Sequence, residues 1–290
     1  MQITLSKYAG FCDGVDRAYK MVKKIAADPK VKKPIYVLGL LVHNRDVVES
    51  VEKLGVKKIR VGKDLFRILD SMQNKIGTLV VTAHGMGPKI YAYAAKKGID
   101  MVDTTCPKVV RAQRLAKIFK DKNYQIVIIG EKEHKEVKGV CEWADNKAFF
   151  VQKKADLKRL KLDPRKKIAV ISQTTQNQEF VKRAWEFMHS NYPQVEVVDT
   201  ICLATHNRQD EARQKASQND VVIVIGSPES ANSNQLWEIA SGINSKSYFI
   251  ESAKQLKKTW FKGAKKVWVT AGASTPDWII SGVIGILKKM

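Results

Sequence analysis

The sequence predicts an α/β protein built from three similar domains around a pseudo-threefold axis, and three observations support this prediction. First, three of the four cysteines divide the 290 residues almost into thirds, because Cys106 lies 94 residues after Cys12 and Cys202 lies 96 residues after Cys106. Second, the phrase V-D-T-x-C occurs twice, at 102–106 and at 198–202. Third, the same alternation of helices and strands follows each cysteine, which indicates an internal repeat.

Each third has the predicted order helix, strand, helix, strand, helix, strand. In the first third these elements cover 16–27, 34–41, 45–54, 57–61, 63–72 and 77–85. In the second third they cover 109–120, 124–130, 136–144, 147–151, 154–160 and 166–175. In the last third they cover 209–217, 220–226, 234–241, 246–250, 252–258 and 265–274. The strands are short β-branched runs bounded by Gly or Pro, which is typical of a parallel sheet covered by helices on both faces.

The spacing of the cysteines also predicts where the three domains begin and end. They cover residues 13–105, residues 106–201, and residues 202–290 together with 1–12. No linker rich in Pro or Ser separates these stretches, so we expect the domains to pack tightly against one another.

The composition narrows the classes of function. The hydrophobic content of 44% is that of a globular protein, and the net charge of +22 attracts anions such as a phosphorylated substrate or an acidic protein. No zinc-finger spacing, RNP-like strand or arginine-rich arm indicates nucleic-acid binding. The apolar runs are too short to cross a membrane and the N-terminus lacks the apolar core of a signal peptide, so we expect a cytoplasmic protein.

Polar residues that follow the predicted strands are candidates for a site, because ligands of parallel sheets bind beyond the carboxyl ends of the strands. After the first strand of the three thirds come His43, His134 and Asn232. After the last strand come His84, Thr174 and Ser274. A threefold arrangement would bring these side chains and the three cysteines to one central cavity.

Three cysteines without a matching fourth predict a metal centre with an open position. A structural zinc site is closed by four ligands, usually with a local C-x2-C pair, and no such pair occurs here. A 4Fe–4S cluster on Cys12, Cys106 and Cys202 would leave one iron free to bind a substrate oxygen as a Lewis acid. Cys141 does not fit the repeat, and we interpret it as a buried thiol.

A proton donor and an anion pocket would complete the cavity. Glu136 lies two residues after His134, and a carboxyl group in a site without water has a raised pKa and can donate a proton. Ser230 and Asn232 lie at the start of a predicted helix, whose N–H groups favour an anion. The same phosphate pocket would include His43, His84 and Ser274. Nucleotide binding is not predicted, because neither G-x-x-x-x-G-K-[ST] nor G-x-G-x-x-G occurs.

Short motifs follow one another in order along almost the whole chain. They are G-F-C-D-G-V at 10–15, V-H-N at 42–44, T-A-H-G at 82–85, D-T-T-C-P at 103–107, H-K-E-V at 134–137, Q-T-T at 173–175, D-T-I-C-L-A-T-x-N-R-Q at 199–209, N-S-N at 232–234 and T-A-G-A-S at 270–274. The ordered set resembles the 4-hydroxy-3-methylbut-2-enyl diphosphate reductase family, also called LytB. Each motif is weak by itself, but their order is highly specific.

The resemblance implies a trefoil of three α/β domains around one 4Fe–4S cluster, held by the three cysteines. It implies reduction of (E)-4-hydroxy-3-methylbut-2-enyl diphosphate to isopentenyl and dimethylallyl diphosphate, the last step of the non-mevalonate isoprenoid pathway, with the substrate hydroxyl at the open iron. Glu136 would be the proton donor, with Thr174 and His134 as further catalytic residues. The implied substrate-binding residues are His43, His84, His134, Thr174, Ser230, Asn232 and Ser274. The implied electron donor is a protein of the ferredoxin or flavodoxin type.

Five positions depart from the family pattern, and two other functions stay open on the residues alone. Asp13 replaces a small residue, Glu131 stands where a histidine is common, Lys135 replaces a usual proline, Ala231 replaces a frequent serine, and His206 replaces a usual glutamine. A non-redox hydro-lyase would also use a three-cysteine cluster as a Lewis acid, but it would need no reductant. A basic protein that binds RNA or a membrane surface around a structural metal would lose affinity steeply with added salt.

Overall fold

Three four-stranded sheets form the framework of the protein. The computed structural model describes the backbone of residues 1–290 and every side chain except that of Gln73. Sheet 1 contains β2 (Ile35–Leu38), β3 (Lys57–Ile59), β4 (Thr78–Val81) and β5 (Asp100–Asp103). Sheet 2 contains β6 (Gln125–Ile129), β7 (Ala148–Val151), β8 (Ile168–Ser172) and β9 (Val195–Val197). Sheet 3 contains β1 (Gln2–Leu5), β10 (Val221–Ile225), β11 (Ser247–Ile250) and β12 (Lys266–Ala271).

The three sheets share one strand order, and all their strand pairs are parallel. The orders are β3-β2-β4-β5, β7-β6-β8-β9 and β11-β10-β12-β1. The first strand of the chain therefore takes, in sheet 3, the place that β5 and β9 take in the other sheets. This topology confirms the predicted fold of three similar α/β units. On the same grounds we propose the domain boundaries 13–105, 106–201, and 202–290 with 1–12.

Helices cover both faces of each sheet. Around sheet 1 lie α1 (Asp13–Ala27), α2 (Arg45–Glu52), α3 (Leu65–Ser71) and α4 (Pro88–Lys97). Around sheet 2 lie α5 (Pro107–Asp121), α6 (Lys135–Trp143), α7 (Lys154–Leu157) and α8 (Gln178–Asn191). Around sheet 3 lie α9 (Leu203–Ala216), α10 (Ala231–Ile243) and α11 (Asp277–Leu287). Each sheet has one apolar core on either face, since successive strand residues such as Val127 and Ile128 belong to different clusters.

Two parts of the predicted element order are wrong. The prediction omitted the last helix and the last strand of each unit, which are α4, α8, α11, β5, β9 and β1. These strands are sheet edges with the sequences D-M-V-D, V-E-V and Q-I-T-L, so they lack the continuous apolar run of a buried strand. The helix predicted over 252–258 is absent from the described structure, which has short 3₁₀ helices at Ala253–Gln255 and Lys258–Phe261. Only Ala253 and Leu256 are apolar within 252–258, too few for an amphipathic helix.

Candidate active site between the three sheets

One cavity between the three sheets contains every residue that the sequence predicts for the site. Its lining includes Cys12, Cys106, Cys202, His43, His84, His134, Glu136, Thr174, Ser230, Asn232 and Ser274. These side chains come from loops that follow the central strands and from the first turns of helices in all three units. The fold therefore brings residues from both ends of the chain to one place, which we call the inner cavity.

Each of the three cysteines stands immediately before a helix, at the N-cap of α1, α5 or α9. The backbone N–H of each also donates to a carbonyl that lies two residues beyond a central strand. The N···O distances are 3.2 Å from Cys12 to Ala273, 3.0 Å from Cys106 to Ala83 and 3.0 Å from Cys202 to Thr174. The three bonds are equivalent under the threefold repeat. A helix N-terminus favours negative charge, so each cysteine is placed where a thiolate is stabilised.

The thiols of Cys106 and Cys202 resist ionisation, in part because other thiols lie close to them. Burial raises the pKa of the Cys106 thiol, and the neighbouring Cys12 and Cys202 raise it further. Burial also raises the pKa of Cys202, whose Sγ lies 3.1 Å from the Oγ1 of Thr205. Gly14 lets α1 approach closely, because a Cβ at this position would lie 2.5 Å from the Sγ of Cys106. Three thiolates at this junction require a cationic group between them, which is the chemistry of a metal centre.

The spacing of these thiols fits a cluster better than a single ion. Cysteine sulfurs lie about 2.3 Å from zinc, so sulfurs that share one tetrahedral zinc ion are only about 4 Å apart. Among the side chains that the structure describes, the three cysteines do not form a group of ligand atoms within 4.8 Å of one another, whereas three histidines do. The cysteine triad thus suits a larger group, and iron–sulfur clusters are held by cysteine thiolates.

Glu136 is a buried carboxyl group in the first turn of α6, with an exposed fraction of 3%. The backbone N–H of Thr174 donates to its Oε1 at 2.6 Å, and the Thr174 hydroxyl donates to its Oε2 at 2.7 Å. Burial raises the pKa of Glu136, and the two hydrogen bonds from Thr174 oppose part of this effect. Such a carboxyl group keeps its proton at higher pH than an exposed glutamate, so it can act as a general acid.

Three imidazoles line the same cavity, and we call them the histidine trio: His43, His84 and His134. Their ring centroids are 4.5 Å, 5.7 Å and 5.7 Å apart. Burial lowers the pKa of His43 and of His134 to about 4, and it holds the pKa of His84 well below its usual value. All three rings are therefore neutral at pH 7.

The histidine trio has buried nitrogens that are available to a ligand. Among the described side chains, neither ring nitrogen of His43 has a hydrogen-bond partner, and the same is true of the Nδ1 of His84. The Nδ1 of His134 accepts a hydrogen bond from the backbone N–H of Glu136 at 3.2 Å, so its neutral ring carries the proton on Nε2. Unpaired buried polar atoms are costly, which indicates that a polar ligand binds here.

Lys135 supplies a positive charge beside the histidine trio, a feature that the sequence showed only as a departure from the family pattern. Burial is the largest cause of the lowered pKa of these three histidines. Neighbouring histidines add to it for His84 and His134, and the charge of Lys135 lowers the pKa of all three further. Burial also lowers the pKa of Lys135 itself, while Glu229 raises it and Lys58 lowers it. Glu229 is 68% exposed, and its Oε2 lies 3.9 Å from the Nδ1 of His43. A lysine and a glutamate therefore flank the trio.

The start of α10 adds hydroxyl and amide groups to the same cavity. The Oγ of Ser230 accepts a hydrogen bond from the N–H of Ser233 at 3.3 Å, which is an N-cap contact. The buried Nδ2 of Asn232 has no hydrogen-bond partner in the described structure. The hydroxyl of Ser274 donates to the carbonyl of His43 at 3.1 Å. Between Ser230 and Asn232, Ala231 presents a methyl group to the cavity, where a serine would present a hydroxyl.

Arg208 is a residue near the cysteines that the sequence analysis missed. Its side chain is only 4% exposed, and it donates to the carbonyl of Gly10 at 2.7 Å and to that of Ala204 at 2.9 Å. The charges of Cys12 and Cys202 raise the pKa of Arg208, although burial lowers it more strongly. Its position in the A-T-x-N-R-Q motif is the feature of the sequence that could have indicated a role for it. Arg208 links α9 to the loop before Cys12 and adds a positive charge beside the thiols.

Comparison with known proteins gives a consistent result over the full chain. The family model of the LytB protein matches residues 3–288. A 4-hydroxy-3-methylbut-2-enyl diphosphate reductase of Symbiobacterium thermophilum is 39% identical over 281 residues, which is 97% of this chain and 94% of that protein. The enzyme of the same name from Bacillus subtilis is 37% identical over 281 residues, or 97% and 88% of the two chains.

Two solved structures share the fold. The structure of E-1-hydroxy-2-methyl-but-2-enyl-4-diphosphate reductase from Plasmodium falciparum has a TM-score of 0.91 and 29% identity, and covers 99% of this chain and 88% of that one. The structure of (E)-4-hydroxy-3-methyl-but-2-enyl diphosphate reductase, the terminal enzyme of the non-mevalonate pathway, has a TM-score of 0.69 and 33% identity, with complete coverage of both chains. The chain belongs to the LytB protein family.

Proposed function

We propose that the chain reduces (E)-4-hydroxy-3-methylbut-2-enyl diphosphate to isopentenyl diphosphate and dimethylallyl diphosphate, as the last step of the non-mevalonate pathway. Family membership supports this reaction, since the relatives carry the name of that reductase. The observation that carries the proposal is the composition of the inner cavity. A buried carboxyl group, three thiols and three neutral imidazoles face the same space.

The cofactor that we propose is one 4Fe–4S cluster on Cys12, Cys106 and Cys202. The mutual repulsion of these thiolates and their spacing support this assignment. When bound, such a cluster supplies electrons and, through an iron that lacks a cysteine, a Lewis acid for the allylic hydroxyl. A hydro-lyase would also use the Lewis acid but not the electrons, and the names of the relatives favour the reductase.

Glu136 is the residue that we assign as proton donor. Loss of the substrate hydroxyl as water requires a proton, and Glu136 is a buried carboxyl group in the same cavity as the thiols. Its two contacts with Thr174 fix both carboxyl oxygens, so its orientation does not depend on the substrate. A positioned acid of this kind contributes about 10²- to 10⁴-fold to the rate of a reaction.

The diphosphate group is the ligand that we assign to the histidine trio and the start of α10. Neutral imidazoles donate one N–H each and add no charge. Lys108, which lines the cavity, Lys135 beside the histidine trio and the N-terminus of α10 would therefore balance most of the negative charge. The amide of Asn232 and the hydroxyl of Ser230 are further donors in this cavity. Thr174 and Ser274 line it as well, but their hydroxyls already donate to Glu136 and to the carbonyl of His43. The alanine at position 231 removes one hydroxyl, and Lys135 adds a cation in compensation.

An acidic carrier protein of the ferredoxin or flavodoxin type is the electron donor that we propose. The net charge of +22 attracts such a partner over long distances. Within the described residues, no helix is long and apolar enough to span a membrane. The cytoplasmic location stays a prediction.

The decisive experiment is anaerobic reconstitution of the protein with iron and sulfide. We expect about four irons per chain and a Mössbauer spectrum in which one iron changes its signal when the hydroxylated allylic diphosphate is added. Steady turnover with dithionite and methyl viologen would then establish the reductase over the hydro-lyase. A colourless protein that retains one zinc ion would contradict the proposal.

Replacement of Lys135 by glutamine should raise the KM for the diphosphate substrate roughly tenfold, because a charged hydrogen-bonding partner contributes on the order of 1.5 kcal/mol. The change in kcat should be smaller, since the role proposed for Lys135 is to attract the diphosphate, which is the part of the substrate that does not react. Steady-state kinetics with the chemical reductant measure both constants. Lys132→Gln is the matched control, because Lys132 lies three residues earlier and stacks on Phe150 outside the cavity. An unchanged KM in K135Q would exclude Lys135 from the pocket.

A further inference from the structure

The three cysteines also line a second cavity, which we call the outer cavity and which shares Gly14, Lys108 and Ala204 with the inner cavity. Its volume is about 570 Å³. The lining residues that matter here are Lys7, Tyr8, Arg17, Lys108, Leu203 and Arg208. The outer cavity contains none of the histidines, nor Glu136, nor the serines at the start of α10, among the described residues. The residues that we assign to proton transfer and substrate binding therefore line the inner cavity.

The outer cavity is strongly cationic. Four of its lining side chains carry a positive charge, and Asp13 is the one carboxylate among the described lining residues. Lys7, Arg17 and Lys108 are exposed, and none of their charged side-chain groups forms an ion pair within the described structure, although the backbone N–H of Lys7 donates to the Oε1 of Glu211 at 3.1 Å. Next to it, Arg111 and Arg114 extend the positive charge along α5, with Asp103 opposite them. This charge is concentrated at the place where the cysteines approach the surface.

Apolar side chains stand between these charges. Leu203, the residue directly after Cys202, is 68% exposed, which is the largest exposure among the described large hydrophobic residues. Tyr8 is 38% exposed and Phe11 is half-buried in the same cavity. An apolar centre with a charged rim is the usual composition of a protein interface, and scattered lysines alone would not produce it.

We propose that the outer cavity is the docking surface for the acidic electron-carrier protein, with Leu203 and Tyr8 at its centre and Lys7, Arg17 and Lys108 at its rim. Charge complementarity favours an acidic partner. A small acidic protein with its redox group near the surface would bring that group close to the cysteine triad. Electron transfer is fast only over short distances, and the inner cavity is occupied by substrate during turnover. This inference rests on the proposed function.

The proposed reaction is balanced in electrons, protons and atoms when the carrier and the substrate use these two cavities. Two molecules of reduced carrier each deliver one electron at the outer cavity and leave oxidised. Two protons enter at the inner cavity, the C–O bond of the allylic alcohol breaks, one C–H bond forms, and the oxygen leaves as water. The proposal therefore places the carrier and the substrate in two different cavities, which have the cysteine triad in common.

The test compares two sources of electrons in the reconstituted holoenzyme with Lys7→Glu and Arg17→Glu combined. With a reduced acidic ferredoxin at low salt, we expect the KM for ferredoxin to rise about tenfold or more. Binding of oxidised ferredoxin, measured on a biosensor, should weaken by a similar factor, and the difference should shrink at 0.5 M salt. With dithionite and methyl viologen, kcat and the KM for the allylic diphosphate should stay unchanged.

The matched control has the same change in charge at the opposite edge of sheet 3. Lys254→Glu with Lys262→Glu alters two exposed lysines that follow β11, whereas Lys7 follows β1 at the other edge. Equal effects of the two double variants would mean that net charge, and not the outer cavity, attracts the carrier, and would overturn the docking proposal. Wild-type protein that fails to turn over with the chemical reductant would instead contradict the proposed function. K7Q with R17Q provides a milder variant, for which an intermediate KM is expected.

Discussion

Replacing Glu136 by glutamine should lower kcat at least a hundredfold while the iron content and the visible absorbance of the holoenzyme stay unchanged. A general acid contributes about 10²- to 10⁴-fold, and an amide cannot replace it as a proton donor of comparable acidity. Glutamine matches the shape of glutamate, and its Oε1 can still accept the hydrogen bond that the Thr174 N–H now donates at 2.6 Å. The loss should therefore appear in turnover and not in folding. Kinetics and iron analysis on the same sample separate the two effects.

The pH dependence gives a second measurement on the same group. The active form of a proton donor is protonated, so kcat should fall as the pH rises through the pKa of Glu136. Because burial raises this pKa, the fall should occur at a higher pH than for an exposed glutamate. The residual activity of E136Q should not show this fall.

Glu142 provides a matched control for Glu136, since it lies on the same helix and burial also raises its pKa. It is not among the residues that line the inner cavity, where Glu136 is. Glu142→Gln should therefore keep nearly full activity. Substantial turnover in E136Q, or an equal loss in E142Q, would exclude Glu136 as the specific proton donor.

The sequence was sufficient to predict that the side chains of the site share one cavity, because the repeat has a physical cause. Parallel strands of equivalent units end at the same edge, so polar residues after each central strand converge wherever three such units pack together. The hydrogen bonds of Cys12, Cys106 and Cys202 to carbonyls beyond three central strands express this equivalence directly. Residues that are regularly spaced along the chain are therefore close together in the folded protein.

The features that the sequence did not reveal depend on packing between units. Neutrality of the histidine trio results from burial and from Lys135, which belongs to a different unit from His43. In the sequence Arg208 looks like any other residue of a helix, and only the structure shows its contact with Gly10, almost two hundred residues earlier. The outer cavity is formed by the start of the chain together with the beginnings of α1, α5 and α9. Such long-range contacts have no local pattern in the sequence.

Replacing Cys106 by serine should remove most of the iron and sulfide from the reconstituted protein and abolish turnover. A serine hydroxyl has a far higher pKa than a thiol and binds iron weakly, and the remaining two thiolates offer too few ligands to a 4Fe–4S cluster. We expect the same result for Cys12→Ser and Cys202→Ser, since the three cysteines have equivalent backbone contacts. Iron and sulfide analysis, visible absorbance and circular dichroism in the far ultraviolet measure cluster content and folding separately.

Cys141→Ser is the control that tests whether three or four cysteines bind the cluster. Cys141 is buried in α6 within the apolar core of sheet 2 and does not line the inner cavity, so this variant should keep its cluster and its activity. Its free energy of unfolding should fall modestly, by about 1 kcal/mol, because a hydroxyl replaces a buried thiol. Loss of iron from C141S with intact secondary structure would make Cys141 a fourth ligand, and the iron that the proposed reaction keeps free would then be occupied by protein.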